Sequence, residues 1–472
     1  MKPILYLALV AVLHAAEKPN FVLIMADDCT WSDLEIHGGQ AKTPHLVKLA
    51  AEGMRFERCF QAAPTCSPTR HCLYTGLYPV KSGAWPNHTM AYEHVKSIAT
   101  HLRAGGYRSH LSGKRHILPE SVFPFEYSGK NNPDMKAVTA FLGECAADET
   151  PFLLIAASNE PHSPHDRGDR SAYPPDRIKL APIQVDTPAT RRALSAYFAE
   201  ITYFDSQVGE ILAALDARGL RESTMVIVLS EQGYDLPFAK WTCYDAGLKS
   251  ACVVRWPGKV EAGSRAMALV EYVDVVPTLL EAAGLPVPEV LDGKSFLPVL
   301  NGGTDRHKSH VFGLQTSKGI IAGPVHYGIR SVRGERYRYI RNLTPEVKFR
   351  NYTTRRGLFQ GWKKQGPAAA ALARDFQHRP AEELYDCETD PWNRKNLIGD
   401  PALAPVVADL RSRLDAWMTS QGDKGQETEE LALTRMPGKA GGARKANRPA
   451  PPAVSGGTPD TGNPTGRPGA GR

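Results

Sequence analysis

Four short, almost wholly apolar runs constrain the fold more than any other feature of the sequence. They are Phe21-Val-Leu-Ile-Met-Ala, Phe152-Leu-Leu-Ile-Ala-Ala, Met225-Val-Ile-Val-Leu and Ala251-Cys-Val-Val-Arg-Trp. A strand with one face in water alternates apolar and polar residues. A run that is apolar throughout reads as a strand buried on both faces, as in a parallel sheet covered by helices. None of the runs is long enough to span a membrane. Helical patterns lie between them. Thr43-Pro44 predicts a helix that stops at Gly53, with Thr43 as N-cap and Pro44 at the first helical position. A long helix is expected from about Ala189 to Arg218, with Tyr197, Ile201, Phe204, Val208, Ile211 and Leu212 at helical spacing. Asp274 to Ala283 is another, closed by Gly284. The alternation predicts an α/β fold: a mostly parallel central sheet with helices on both faces.

Beyond about Leu300 the pattern changes. Between Val325 and Leu343, the alternation Arg336-Tyr-Arg-Tyr-Ile-Arg suits antiparallel strands. A helix from about Ala402 to Ser420 is expected to end the ordered chain. The expected divisions are 1–16 as a signal peptide, 17–300 as the α/β domain, 301–420 as a small α+β subdomain and 421–472 as a disordered basic tail.

The ends of the chain account for most of its unusual composition. The net charge is +7 over 472 residues, but seven basic residues and one acid lie from Arg435 onward. The rest is close to neutral and offers no basic footprint for nucleic acid. Gly and Pro fill sixteen of the last 36 positions, too little apolar surface to offset the entropy of ordering. At the other end, Met1-Lys2, an apolar run from Pro3 to Leu13 and Ala15-Ala16-Glu17 predict an export signal cleaved near Ala15 or Ala16. Eight cysteines with no C-x-x-C pair argue against a structural zinc cluster and permit disulfides without requiring them.

Polar residues gather where the strands should end. Asp27-Asp28 follows the first run, Asn159-Glu160-Pro161-His162 the second and Glu231-Gln232-Gly233 the third. In open α/β sheets, ligands bind beyond the carboxyl ends of strands. Asp27, Asp28, Glu231 and Gln232 would offer hard oxygen ligands suited to Ca2+ or Mg2+. In Cys66-Ser67-Pro68-Thr69-Arg70, Ser67-Pro68 reads as a cap followed by the first helical residue, with Gly76 closing the helix. That places Cys66 at a helix N-terminus, where backbone N–H groups favour an anion.

Cys66-Ser67-Pro68-Thr69-Arg70, followed by Leu73, Thr75-Gly76 and Tyr78-Pro79, resembles the C-x-P-x-R signature of the type I sulfatases, which have the alkaline-phosphatase-like fold. Further elements occur in the same order: Thr43-Pro44-His45-Leu46, Gly113-Lys114-Arg115-His116, Pro161-His162-Ser163-Pro164, Ser230-Glu231-Gln232-Gly233, Val254-Arg255-Trp256-Pro257-Gly258 and Leu384-Tyr385-Asp386. The similarity runs from about Lys18 to Ser420. It implies hydrolysis of a sulfated carbohydrate by a formylglycine hydrate made from Cys66, beside Ca2+ held by Asp27, Asp28, Glu231, Gln232 and the modified Cys66. It also implies a formylglycine-generating enzyme as maturation partner. Arg70 would support the formylglycine and the metal, Lys114 and His116 would stand near the nucleophile, His162 would handle the sulfate or leaving group, and Lys240 would contact sulfate. Two departures stand out. The usual Asp followed by Asn or His is here Glu231-Gln232, each one methylene longer, and Arg115 stands where many members carry Trp. Gly113-Lys-Arg-His with Pro119-Glu120 and Val122-Phe-Pro-Phe resembles more the branch containing N-sulfoglucosamine sulfohydrolases, which implies a sulfamate or glucosamine-sulfate substrate. Phosphate or phosphonate ester hydrolysis on the same scaffold, and non-catalytic glycan binding, are the competing readings.

Overall fold

The computed structural model describes residues 18–324 and 326–437. The expected signal peptide and most of the expected tail lie outside the described residues. The main sheet has nine strands: β1 (Asn20–Met25), β2 (Met54–Phe60), β3 (Arg108–Gly113), β4 (Glu126–Ser128), β5 (Phe152–Ala157), β6 (Thr224–Leu229), β7 (Lys249–Arg255), β8 (Ser264–Ala266) and β9 (Val270–Glu271). Their order is β4-β3-β5-β1-β6-β7-β2-β8, with β9 also paired to β2. Strands β4, β3, β5, β1 and β6 all run parallel. Along β1, Phe21, Leu23 and Met25 enter one apolar cluster, while Val22 and Ile24 enter another on the opposite face. Both faces are therefore dry, which is why these strands read as unbroken apolar runs.

The run at Ala251–Trp256 departs from the expected parallel arrangement. Strand β7 is antiparallel to both β6 and β2. The link from β6 to β7 holds only a four-residue helix, Asp245–Leu248, and no helix that carries the chain back across a sheet face, as the usual parallel crossover does.

The helices fall close to their expected places, at Pro44–Ala51, Cys66–Thr75, Pro188–Asp216, Val275–Ala282 and Ala404–Ser420. Two caps differ. Thr43 makes no side-chain capping bond. Instead Asp205, on the long helix, accepts from the backbone N–H groups of His45 and Leu46 at 3.0 and 2.8 Å. The helix containing Cys66 starts at Cys66 itself after Thr65, so Ser67 is not its cap. Gly76 closes it with φ +68, a conformation glycine adopts without strain. Among the described residues no helix is long and apolar enough to cross a membrane.

A second, antiparallel sheet follows: β10 (Val311–Thr316), β11 (Gly328–Arg333), β12 (Tyr337–Asn342) and β13 (Glu382–Asp386), in that order. Ile329, Ile340 and Tyr385 share one apolar cluster with Ala251 and Val253 of the large sheet, so the two sheets pack together. The chain does not lose order at Ser420. Helix Gln426–Glu430 follows, and buried Arg330 on β11 pairs with Asp423 and, at 2.9 Å, with Glu429. Two well-placed carboxylates meeting one buried guanidinium explain why this acidic stretch docks. The low-complexity composition that predicts a tail starts only at Pro437.

The cap supplied by Asp205 gives a stability test. Asp205→Ala is expected to lower folding stability by about 1–2 kcal/mol, read as a lower urea midpoint, and Asp205→Asn by less. An unchanged midpoint for Asp205→Ala would show that the bond across 160 residues contributes nothing.

Candidate active site

The parallel strands end at one edge, and that edge carries the site. Asp27 and Asp28 follow β1, Lys114 to His116 follow β3, His162 lies on the turn after β5, and Glu231 and Gln232 follow β6. Strand β2 leads through residues 61–65 into the helix that opens with Cys66. Asp28 (φ +63) and Glu231 (φ +62) both adopt left-handed backbone directly beyond their strands. Side chains with a Cβ take that conformation at a cost of about 1–3 kcal/mol, tolerated where surrounding contacts enforce it. Here Asp28 N–H donates to Glu231 Oε2 at 3.3 Å, and Glu231 N–H donates to the Tyr272 hydroxyl at 2.9 Å. Gly113 (φ +100) completes the edge, since a Cβ there would lie 2.0 Å from the carbonyl oxygen of Ala157.

The predicted residues converge. One ligand atom from each of Asp27, Asp28, Cys66 and Glu231 lies within 4.8 Å of the others, all in buried residues. Gln232 Nε2 donates to Asp28 Oδ1 at 2.6 Å and reaches Cys66 Sγ at 3.1 Å. Cys66 Sγ is 3.8 Å from Asp28 Oδ1. Lys240 Nζ pairs with Asp28 Oδ2 at 2.6 Å, and Lys114 pairs with Asp27 Oδ2. Arg70 Nη2 lies 2.9 Å from Glu231 Oε1 and 3.6 Å from Asp27 Oδ1, while its Nη1 donates to the Lys114 carbonyl at 3.1 Å. His162 Nε2 is 3.6 Å from Asp28 Oδ2. His116 stands farther out, on a cleft of about 700 Å³ that also reaches Cys66, Lys114, His162 and Lys240.

The donor set fits a hard cation. Among the described residues, Asp27 Oδ1, Glu231 Oε1 and Gln232 Oε1 are buried without a directed hydrogen bond, an arrangement that costs free energy unless a cation or water satisfies it. The longer reach of Glu231 and Gln232 does not remove them from the cluster. Burial raises the Asp28 carboxyl, against the opposing pull of Lys240. It pushes Lys114 down to about 7. Burial, aided by Lys240 and Lys114, holds His162 neutral, down to about 2. Burial also pushes the Cys66 thiol up to about 12, so the encoded sulfur is no thiolate near neutral pH and is a poor nucleophile.

Residues that the motifs do not single out also line the cleft: His88, Asp235, Trp241 and Tyr352 among them. His88 follows the short helix Pro79–Ser82, and Tyr352 opens the short helix Tyr352–Arg355. Asp235 carries no motif signal and is placed by the same turn that carries Glu231.

A sheet edge with this acid, amide, thiol and guanidinium set defines a hydrolase of the alkaline-phosphatase-like class. The sulfatase family profile matches residues 19–285, and the profile of the N-sulphoglucosamine sulphohydrolase C-terminal region matches 231–353. The chain belongs to the sulfatase family and is a sulfuric ester hydrolase. It is 31% identical to an ulvan-active sulfatase of Formosa agariphila over 86% of this chain and 81% of that one. It is 27% identical to human N-sulphoglucosamine sulphohydrolase over 88% and 93%. In fold it is similar to a protein solved with its substrate D-glucosamine-2-N,6-O-disulfate, with a TM-score of 0.67, 16% identity, and 87% and 99% of the two chains covered.

Arg70 is fully buried against two carboxylates. In the presence of chelator, Arg70→Ala is expected to cost about 3–5 kcal/mol by leaving buried charge unpaired. Thermal and urea unfolding of the cysteine form measure this, and a loss under 1 kcal/mol would mean that the charges are compensated otherwise.

Proposed function

We propose that this chain removes sulfate from a carbohydrate, as an ester or as the sulfamate of an N-sulfated glucosamine. In this reading Cys66 is converted to formylglycine and Ca2+ sits beside it. The observation that carries the reading is Cys66 Sγ lying within 4.8 Å of ligand atoms of Asp27, Asp28 and Glu231, beside Asp27 Oδ1, Glu231 Oε1 and Gln232 Oε1, which among the described residues have no directed hydrogen bond. That sulfur stands in for the oxygens of the aldehyde hydrate. The hydrate would supply one hydroxyl to attack sulfur and a second whose deprotonation re-forms the aldehyde and expels sulfate. Asp27, Asp28, Glu231 and Gln232, with the modified residue, would hold Ca2+, which when bound would stabilise charge on the sulfuryl oxygens.

The chain's own groups have defined tasks. Lys240 and Arg70 are fixed positive charges that need no rearrangement as the transition state gathers charge, and Lys114, paired with Asp27, adds a third while it is protonated. Arg70 braces Glu231 and Asp27, and through the Lys114 carbonyl it sets the loop after β3. His116 and His162, both kept neutral, are the groups able to take the nucleophile's proton, and the ring that has taken it can then pass it to the leaving oxygen or nitrogen. Trp241, Tyr127 and Tyr352 give the cleft flat apolar surfaces, with Lys130, Arg115 and Asp235 between them, a lining suited to a charged sugar. The match to the N-sulphoglucosamine sulphohydrolase C-terminal region supports a glucosamine-containing substrate. Maturation by a formylglycine-generating enzyme and export directed by residues 1–16 complete the proposal.

Co-expression with a formylglycine-generating enzyme is expected to convert the Cys66 peptide to the aldehyde by mass spectrometry and to switch on sulfate release from an aryl sulfate and from sulfated glucosamines. Cys66→Ala should be inactive. Equal activity with Ala at 66, or faster turnover of the matching aryl phosphate, would overturn the mechanism. Chelation is expected to lower both melting temperature and activity, with Ca2+ restoring both. A melting temperature indifferent to chelator and to Ca2+ would argue against the metal.

A further inference from the structure

We propose that His88 is a positioning residue for His116, fixing that ring's orientation and tautomer at the mouth of the site. The inference rests on the sulfatase chemistry proposed above. His116 Nε2 lies 2.9 Å from His88 Nδ1, with ring centroids 4.8 Å apart. Both rings line the cleft that contains Cys66. Where two imidazoles meet through one N···N contact, one nitrogen must donate and the other accept. When His88 Nδ1 accepts, His116 carries its proton on Nε2 and presents a bare lone pair at Nδ1. When His88 donates, His116 presents N–H at Nδ1. Among the described residues His116 Nδ1 has no directed partner, and the His88 contact at Nε2 is what sets its tautomer.

The backbone is arranged for this contact. His88 (φ +56) and His116 (φ +46) are both left-handed, a conformation that needs enforcement by neighbours. Thr89 N–H donates to Ser67 Oγ at 3.5 Å, one residue from Cys66, and Thr89 Oγ1 donates to the Arg435 carbonyl at 3.1 Å. Ala91 N–H donates to the Leu118 carbonyl at 2.8 Å, joining the two histidine loops. His71 then spans Ser67 O at 2.7 Å and Leu118 O at 3.1 Å. Both loops thus hang on the helix that begins at Cys66, and the imidazole pair is registered to the nucleophile position.

The test compares His88→Gly with His88→Asn in the matured enzyme. Both residues tolerate left-handed backbone, but only Asn can place an acceptor near the position of Nδ1. His88→Gly is expected to lower kcat about ten- to a hundredfold with KM changed less than about twofold. Asn should recover most of the loss. In a His116→Ala background, His88→Gly should cost nothing further. Equal losses in both backgrounds, or Asn performing no better than Gly, would overturn the proposal. A second readout needs no turnover: the nitrogen-15 shifts of His116 are expected to move between tautomers when His88 is replaced by Gly, and unchanged shifts would refute the role. Absence of sulfate release by the wild-type matured enzyme would instead count against the proposed function, leaving the tautomer measurement to decide on His88.

Discussion

The structure is organised around buried charge that must be balanced where the main strands end. Asp27, Asp28 and Glu231 are taken out of water on a dry sheet, and Arg70, Lys114 and Lys240 close in on them. Burying like charges together is unfavourable unless counter-charges lie within contact distance. Every element that brings such a counter-charge is therefore fixed in place: the helix carrying Arg70, the loop after β3 carrying Lys114, and the long turn after β6 carrying Lys240. The oxygens without a directed donor among the described residues, Asp27 Oδ1, Glu231 Oε1 and Gln232 Oε1, are the remainder of this balance, and the proposed Ca2+ would complete it.

Sheet topology makes the balance possible. Because β3, β5, β1 and β6 are adjacent and parallel, residues more than two hundred positions apart emerge side by side. Strand β2 has the same sense, since it is antiparallel to β7, which is antiparallel to β6. Its exit therefore delivers Cys66 to the same edge. Left-handed backbone at Asp28 and Glu231 then turns both carboxylates toward one point. The strain is local and is held by contacts between the two residues and with Tyr272.

Much of this was legible in the sequence because it rests on local signals. Unbroken apolar runs announced strands covered on both faces, and the motif residues at their ends announced the cluster. What escaped the sequence depends on distant partners. The cap of helix Pro44–Ala51 comes from Asp205 rather than the adjacent Thr43, and no local pattern encodes that. The sense of β7 was hidden because an apolar run carries no direction. Residues 421–437 read as the start of a polar tail, yet Arg330 supplies a buried partner for Asp423 and Glu429. His88 was visible only as part of a loop, since its significance depends on His116 across the cleft.

The docking of those late residues has a consequence for the order in which the protein is made. Arg435 donates to the carbonyl oxygens of Gly83 and Met90, each at 2.8 Å, and stacks on Tyr92 at 4.1 Å. It thereby secures the stretch that carries His88. On the ribosome Asp27 is among the first of these residues to emerge and Arg435 among the last. A nascent or proteolytically clipped chain could hold the whole nine-stranded sheet and still lack this clasp on the cleft wall, so the working pocket acquires its shape only once the segment around Arg435 has been made and docked.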